Sequence, residues 1–252
     1  MDEILRDLAA QHGELLAQLE PLDDAAWRLP SPCDGWDIAD VVLHLHQTDN
    51  LGVASLRGDL TSHVEAFVRG GGTGEAAVDQ AAALSVEQAR GPSGRAVLEL
   101  WRNSAAQLRA EFALAGPSAR LQWVVGHLSA RTLAATRLSE CWIHTGDVAA
   151  ALGMELAPTN RLRHIARLAW RTVPYAFERA GRARSGPVAF DLVGPDGDRW
   201  EFGTDTEPLT VVTGSAHELC LLAGRRRAPE ETSLVATGPD ATAVLELVRT
   251  YA

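Results

Sequence analysis

Lysine is absent from the 252-residue chain, so all 23 basic residues are arginine. That absence excludes Schiff-base chemistry and a Walker-type phosphate loop, both of which need a lysine. Cysteine is scarce: Cys33, Cys141 and Cys220 are far apart and form no Cys-x-x-Cys pair, which argues against a disulfide framework or a cysteine-rich zinc knuckle. No window approaches the roughly 20 apolar residues of a membrane span. The acidic start Met1, Asp2, Glu3 shows no signal peptide, so a cytoplasmic protein without a membrane partner is expected. Basic runs are also missing, apart from Arg225, Arg226 and Arg227. With a formal net charge of -10 and a pI near 5.3, the chain repels a phosphate backbone, and no nucleic-acid partner is expected. There is no Gly-x-Ser-x-Gly elbow and no readable Ser, His and Asp arrangement.

What is present reads as a folded chain of one large domain or two ordinary ones, since apolar residues make up 46% and charged residues 22%. Ile4, Leu8, Leu15 and Leu19 lie close to a helical stripe that Pro21 ends. Asp37 is placed to cap a second helix from Ile38 to about Leu56, with Asp40 at its third position. The glycine-rich residues 70–75 read as a loop. Further helices are expected from Arg95 to Ala115, from Leu128 to Leu152 and from Arg161 to Ala180. Beyond these, Pro187–Val193, Arg199–Phe202 and Leu209–Val212 have strand character, with a turn at Gly194–Gly197, and helices follow at Ala216–Ala223 and Ala241–Tyr251. The expected class is α+β: a four-helix bundle over residues 1–157, then a smaller α/β unit over residues 158–252.

Two of these helices carry candidate chemistry. Glu140 and His144 are four positions apart, one helical turn on one face, and Asp147 lies about one turn further along. On the second helix His44 shares the core-facing stripe of Ile38, Val41, Leu45 and Thr48, while His46 falls at its edge. If the helices pack side by side, His44, Glu140 and His144 form a two-histidine, one-carboxylate set suited to zinc or another divalent metal. Asp147 then suits orienting an imidazole, or is a solvated charge near a helix end. Glu-x-x-x-His also recurs by chance, and a single core histidine is more often hydrogen-bonded than metal-bound. His12, His63, His127, His164 and His217 have no partner at ligand spacing and are expected at the surface or at helix ends. Cys141 is expected to be a buried, inert thiol, and the tryptophans to be packing residues.

The run Gly35, Trp36, Asp37, Ile38, Ala39, Asp40, Val41, Val42, Leu43, His44, Leu45 resembles the second helix of the DinB-like, mycothiol-dependent maleylpyruvate isomerase family. Glu140, Cys141, Trp142, Ile143, His144, Thr145, Gly146, Asp147 resembles that family's second ligand segment, and Gly214 to Arg225 resembles its C-terminal pattern. The resemblance implies a DinB-like bundle with the family's α/β domain behind it, and metal ligands at His44, Glu140 and His144. It further implies mycothiol as the thiol whose thiolate attacks a small electrophile, giving cis-trans isomerisation or a conjugate. Arg225 is then the candidate for binding a substrate carboxylate, with a surface role as the alternative. Three readings stay open: a thiol-dependent isomerase or S-transferase, a metal-dependent hydrolase or lyase using bound water, and a metal- or ligand-binding protein without turnover. A monomer or homodimer is expected.

Overall fold

The computed structural model describes residues 1–61, 75–124 and 126–250. The glycine-rich loop, apart from Glu75, and His63 lie outside the described residues. The chain is α+β and divides into two compact units, Met1–Leu156 and Ala157–Ala252.

The first unit contains α1 (Asp2–Leu19), α2 (Ile38–Arg57), α3 (Glu75–Ala89), α4 (Gly94–Leu114) and α5 (Ala130–Ala151). A hairpin of β1 (Arg120–Trp123) and β2 (Gly126–Ser129) joins α4 to α5. The four long helices close in the ring order α1, α4, α2, α5, and α3 packs on α2. Their shared core includes Leu15, Leu19, Val41, Leu45, Leu98, Trp101 and Val148, all buried.

Local chemistry fixes where α2 begins. Asp37 accepts from the Asp40 backbone N–H at 2.9 Å while Asp40 accepts from the Asp37 N–H at 3.2 Å, a reciprocal cap. Arg90 donates to both oxygens of the Asp40 carboxylate, at 2.9 and 2.7 Å, and anchors the cap to the end of α3. The helix stops at Gly58, whose φ of 80° suits glycine. Along α2, Gly52 lets its neighbours close in: a Cβ there would stand 2.8 Å from Leu108 Cδ1 and 3.6 Å from Arg137 Cδ.

Three local expectations change. Leu128 does not start a helix. It pairs with Leu121 in the hairpin, and α5 begins at Ala130, where Ser129 Oγ caps the Thr132 N–H at 3.1 Å. The helix α3 was not anticipated, because its apolar residues are mostly alanines that draw no stripe, although Val86 is fully buried. His12 is buried rather than superficial. It packs edge-on against Trp101 with ring centroids 5.7 Å apart, and its Nδ1 meets Arg109. His127 is exposed, and His164 and His217 are half-buried.

The second unit contains α6 (Leu162–Arg179), β3 (Val188–Val193), β4 (Arg199–Phe202), β5 (Thr210–Ser215), α7 (Ala216–Ala223), β6 (Val235–Thr237) and α8 (Ala241–Leu247). Its sheet has the order β4-β3-β5-β6, with β3 and β5 parallel and both outer pairings antiparallel. The β3–β4 turn closes through Gly194 N–H to Asp198 O at 2.7 Å, with Gly197 at φ 87°. Alternating burial along β3 turns Val188, Phe190 and Leu192 to the core, and Trp170 of α6 donates to the Val188 carbonyl at 2.8 Å. Here β5 runs further than expected, to Ser215, and α8 stops at Leu247 rather than Tyr251. The short β6 was missed because three residues carry too little alternation to register. Among the described residues no helix is long and apolar enough to cross a membrane.

Burial, helped by the charges of Arg109 and Arg137, pushes the His12 pKa down to about 3. A depressed native pKa contributes stability above the unfolded value of 6.5 that is lost as pH falls towards 3. His12→Gln should therefore flatten the fall of unfolding free energy between pH 6 and 4 by about 1.4 kcal/mol per pH unit, the linkage slope for one proton. Urea denaturation across that range checks it, and parallel slopes for both proteins would refute the assignment.

Candidate metal centre

Helices α2 and α5 are neighbours in the ring, and their facing stripes bring three ionisable side chains together. His44 Nε2 lies 2.8 Å from Glu140 Oε1, and His144 Nε2 lies 3.4 Å from the same oxygen. All three residues are buried, and one ligand atom from each falls within 4.8 Å of the others. Glu140 and His144 meet because four residues make about one turn of α5. His44 joins them because it lies on the face of α2 turned to α5. The two imidazole rings stand edge to face, with centroids 5.0 Å apart, and Trp36 tilts against the outer side of His44 at 5.1 Å.

Burial alone would raise the Glu140 pKa, yet the hydrogen bonds of His144 and His44 and the charge of Arg137 hold it well below the usual carboxylate range. Burial would likewise lower His144, but its hydrogen bonds with Asp147, Cys33 and Glu140 raise it well above the ordinary imidazole value. His44 goes the other way: burial lowers it, and the Glu140 hydrogen bond only partly opposes the shift. The two histidines therefore differ in basicity around one charged carboxylate. Two imidazole nitrogens and a carboxylate oxygen converging on one point are the donor set that a divalent metal takes. His44 Nδ1 is buried without a hydrogen-bond partner among the described residues, so this ring engages the cluster through Nε2.

Asp147 is buried too, and its Oδ2 lies 2.9 Å from His144 Nδ1. A second layer lies behind Glu140. Arg137, one turn earlier on α5, donates to Thr48 Oγ1 at 3.0 Å and pairs with Asp49 at 3.6 Å, both on α2. Burial pushes Asp49 up to about 7 against the pull of Arg137. His46 is turned away from the centre, with Nδ1 at 3.1 Å from Ser104 Oγ and Nε2 at 3.2 Å from Asn50 Nδ2. Arg225 belongs to the second unit, where it follows α7 with an exposed side chain.

Sequence reasoning missed Cys33 and Trp36 as neighbours of the site, and Arg137 and Asp49 as the layer behind it. Cys33 arrives on a loop that doubles back through Ser31 N–H to Trp36 O at 2.9 Å and Trp36 N–H to Cys33 O at 3.0 Å. The only available signal was its position just ahead of the Asp37 cap.

Residues 8–149 match the model of the mycothiol maleylpyruvate isomerase N-terminal domain, which is more than half of the chain. The chain belongs to that family. An uncharacterised protein of Mycobacterium tuberculosis, found in two strains, is 33% identical over 247 residues, covering 98% of this chain and 94% of the relative. A crystal structure of mycothiol-dependent maleylpyruvate isomerase superposes with a TM-score of 0.57 at 17% identity, covering 94% of this chain and 92% of the other. A point mutant of a mycothiol-dependent maleylpyruvate isomerase gives 0.56 at 18% identity and 89% of each chain. At those identities the likeness is one of fold.

The three cysteines are free, and only Cys33 is partly exposed; burial pushes the thiols of Cys141 and Cys220 up. Iodoacetamide should modify Cys33 alone in the native protein and all three thiols in denaturant. Peptide mass mapping reads the result, and rapid native labelling of Cys141 would contradict the packing around α5.

Proposed function

We propose that this family member is a zinc- and mycothiol-dependent enzyme, an isomerase or S-transferase acting on a small electrophilic substrate. The observation that carries the reading is the convergence of His44 Nε2 and His144 Nε2 on one buried oxygen of Glu140. Membership of a family named for a mycothiol-using isomerase supports the choice of thiol and of reaction.

Two imidazoles and one carboxylate, with a further position left for a small ligand, make up a catalytic zinc set, and nickel or ferrous iron accepts the same donors. In this role His44 Nε2, Glu140 Oε1 and His144 Nε2 hold the ion. Asp147 accepts the Nδ1–H of His144, which fixes the tautomer and leaves the Nε2 lone pair facing the centre. Trp36 packs against the His44 ring, with centroids 5.1 Å apart. What such an ion supplies when bound is a lower thiol pKa, and hence the nucleophilic thiolate near neutral pH.

Arg225 is our candidate for a substrate carboxylate, because its planar fork suits bidentate pairing. With Arg226, Arg227 and Arg249 it lines a cleft of about 320 Å³ in the second unit. Its φ of 59° is that of the left-handed residue in the cap that ends α7, where Arg226 N–H donates to Leu221 O at 2.8 Å and Arg225 N–H to Leu222 O at 3.0 Å. We place the protein in the cytoplasm, which its free cysteines suit.

Metal analysis of purified protein tests the centre: His44→Ala and His144→Ala should each lose most of the bound metal, while His46→Ala keeps it. Stoichiometric metal in all three would end the ligand assignment. Mycothiol should stabilise the metal-loaded protein and not the chelated one, by about 2.7 kcal/mol at a hundredfold excess over its Kd. Metal without a thiol response would instead favour a hydrolase, a lyase or a protein without turnover. Arg225→Ala should leave metal content intact and raise KM for an anionic substrate about tenfold or more, the scale of one lost charge-assisted pair. Unchanged kinetics would return Arg225 to the surface.

A further inference from the structure

Cys33 Sγ lies 3.2 Å from Asp147 Oδ2 and 3.9 Å from His144 Nδ1, and that Nδ1 is 2.9 Å from the same Asp147 oxygen. One carboxylate oxygen thus gathers a thiol from a loop and an imidazole from its own helix. Cys33, His144 and Asp147 place ligand-type atoms within 4.8 Å of one another, so a second metal trio is a conceivable use. The geometry speaks against it. His144 already turns Nε2 towards Glu140, and a ligand imidazole ordinarily donates from its other nitrogen to a carboxylate, the arrangement that Nδ1 and Asp147 make at 2.9 Å.

Asp147 is three residues from His144 on α5, and at that spacing an aspartate has several staggered rotamers open to it. In the rotamer it adopts, Oδ2 meets both Nδ1 and the Cys33 thiol. Cys33 is itself fixed from two sides: its N–H donates to Ser31 Oγ at 3.2 Å, and its carbonyl accepts from Trp36 N–H at 3.0 Å.

We propose that Cys33 is a positioning residue whose S–H donates to Asp147 Oδ2, holding that carboxylate against His144 Nδ1–H and so setting the aim and basicity of His144 Nε2. The inference rests on reading His44, Glu140 and His144 as metal ligands. It gives a function to a thiol that the proposed reaction does not otherwise use.

Zinc dissociation constants of the full-length protein, measured by competition with a chromophoric chelator, provide the test for wild type, Cys33→Ser and Cys33→Ala. Thermal melting of the zinc-free forms serves as control. Loss of a group that supports a ligand weakens metal binding about 10- to 100-fold, and that loss is expected for Cys33→Ala. Cys33→Ser keeps a donor and should stay within about threefold of wild type. Zinc-free melting temperatures should agree among the three. Zinc affinity unchanged in Cys33→Ala, or lost only together with zinc-free stability, overturns the proposal. A sulfur-to-metal charge-transfer band in the cobalt-loaded wild type that vanishes in Cys33→Ser would make Cys33 a ligand, and overturns it as well. Normal zinc binding by wild type with an indifferent Cys33→Ala sinks this inference alone, whereas a wild type that binds no zinc sinks the metal reading with it.

Discussion

A charged carboxylate held between two helices is the constraint on which the first unit is arranged. Removing an ion from water costs several kcal/mol even after relaxation, so Glu140 stays ionised only where donors surround it. Two imidazoles in front and the Arg137 guanidinium behind meet that need, and together they hold its pKa down against burial. Arg137 in turn requires partners, which α2 supplies through Thr48 and Asp49. The polar groups between α2 and α5 form one connected layer, in which taking out a single member leaves a buried charge short of a partner.

That layer explains how much could be read from sequence. The meeting of Glu140 and His144 follows from helical pitch alone, and the inward face of His44 follows from the apolar stripe beside it. Whether α2 and α5 would be neighbours did not follow from either stripe, since ring order in a bundle is a property of tertiary packing. The Asp37 cap was legible because it is local chemistry over four residues. Cys33 was not, because a loop residue has no period, and only the folded turn through Ser31 and Trp36 brings it to Asp147. His12 misled for a related reason: spacing rules see partners along a helix, whereas Arg109 and Trp101 come from a different one. Missed elements share one trait, weak patterning, whether from alanine in α3 or from brevity in β6.

The family fold persists at 17–18% identity in the solved structures. Packing tolerates many apolar substitutions when volume and pattern are kept, so such divergence is compatible with an unchanged bundle. A site does not share that tolerance, because each atom must be held to within a fraction of an ångström to act. Substrate choice is accordingly a property of the side chains at a site rather than of the scaffold that carries them.

Gly52 gives the bundle a mechanical property. Two of the three clustered side chains ride on one helix and keep a spacing set by its pitch, while the third rides on α2 and keeps whatever spacing the helix contact permits. About two turns from His44, a Cβ at Gly52 would stand 2.8 Å from Leu108 Cδ1 of α4 and at the ordinary contact distance of 3.6 Å from Arg137 Cδ of α5. A methyl group there would press on the Leu108 side chain of α4, and the helix pushed back carries His44. The spacing between His44 and Glu140 is thereby tied to packing at a position that touches neither residue.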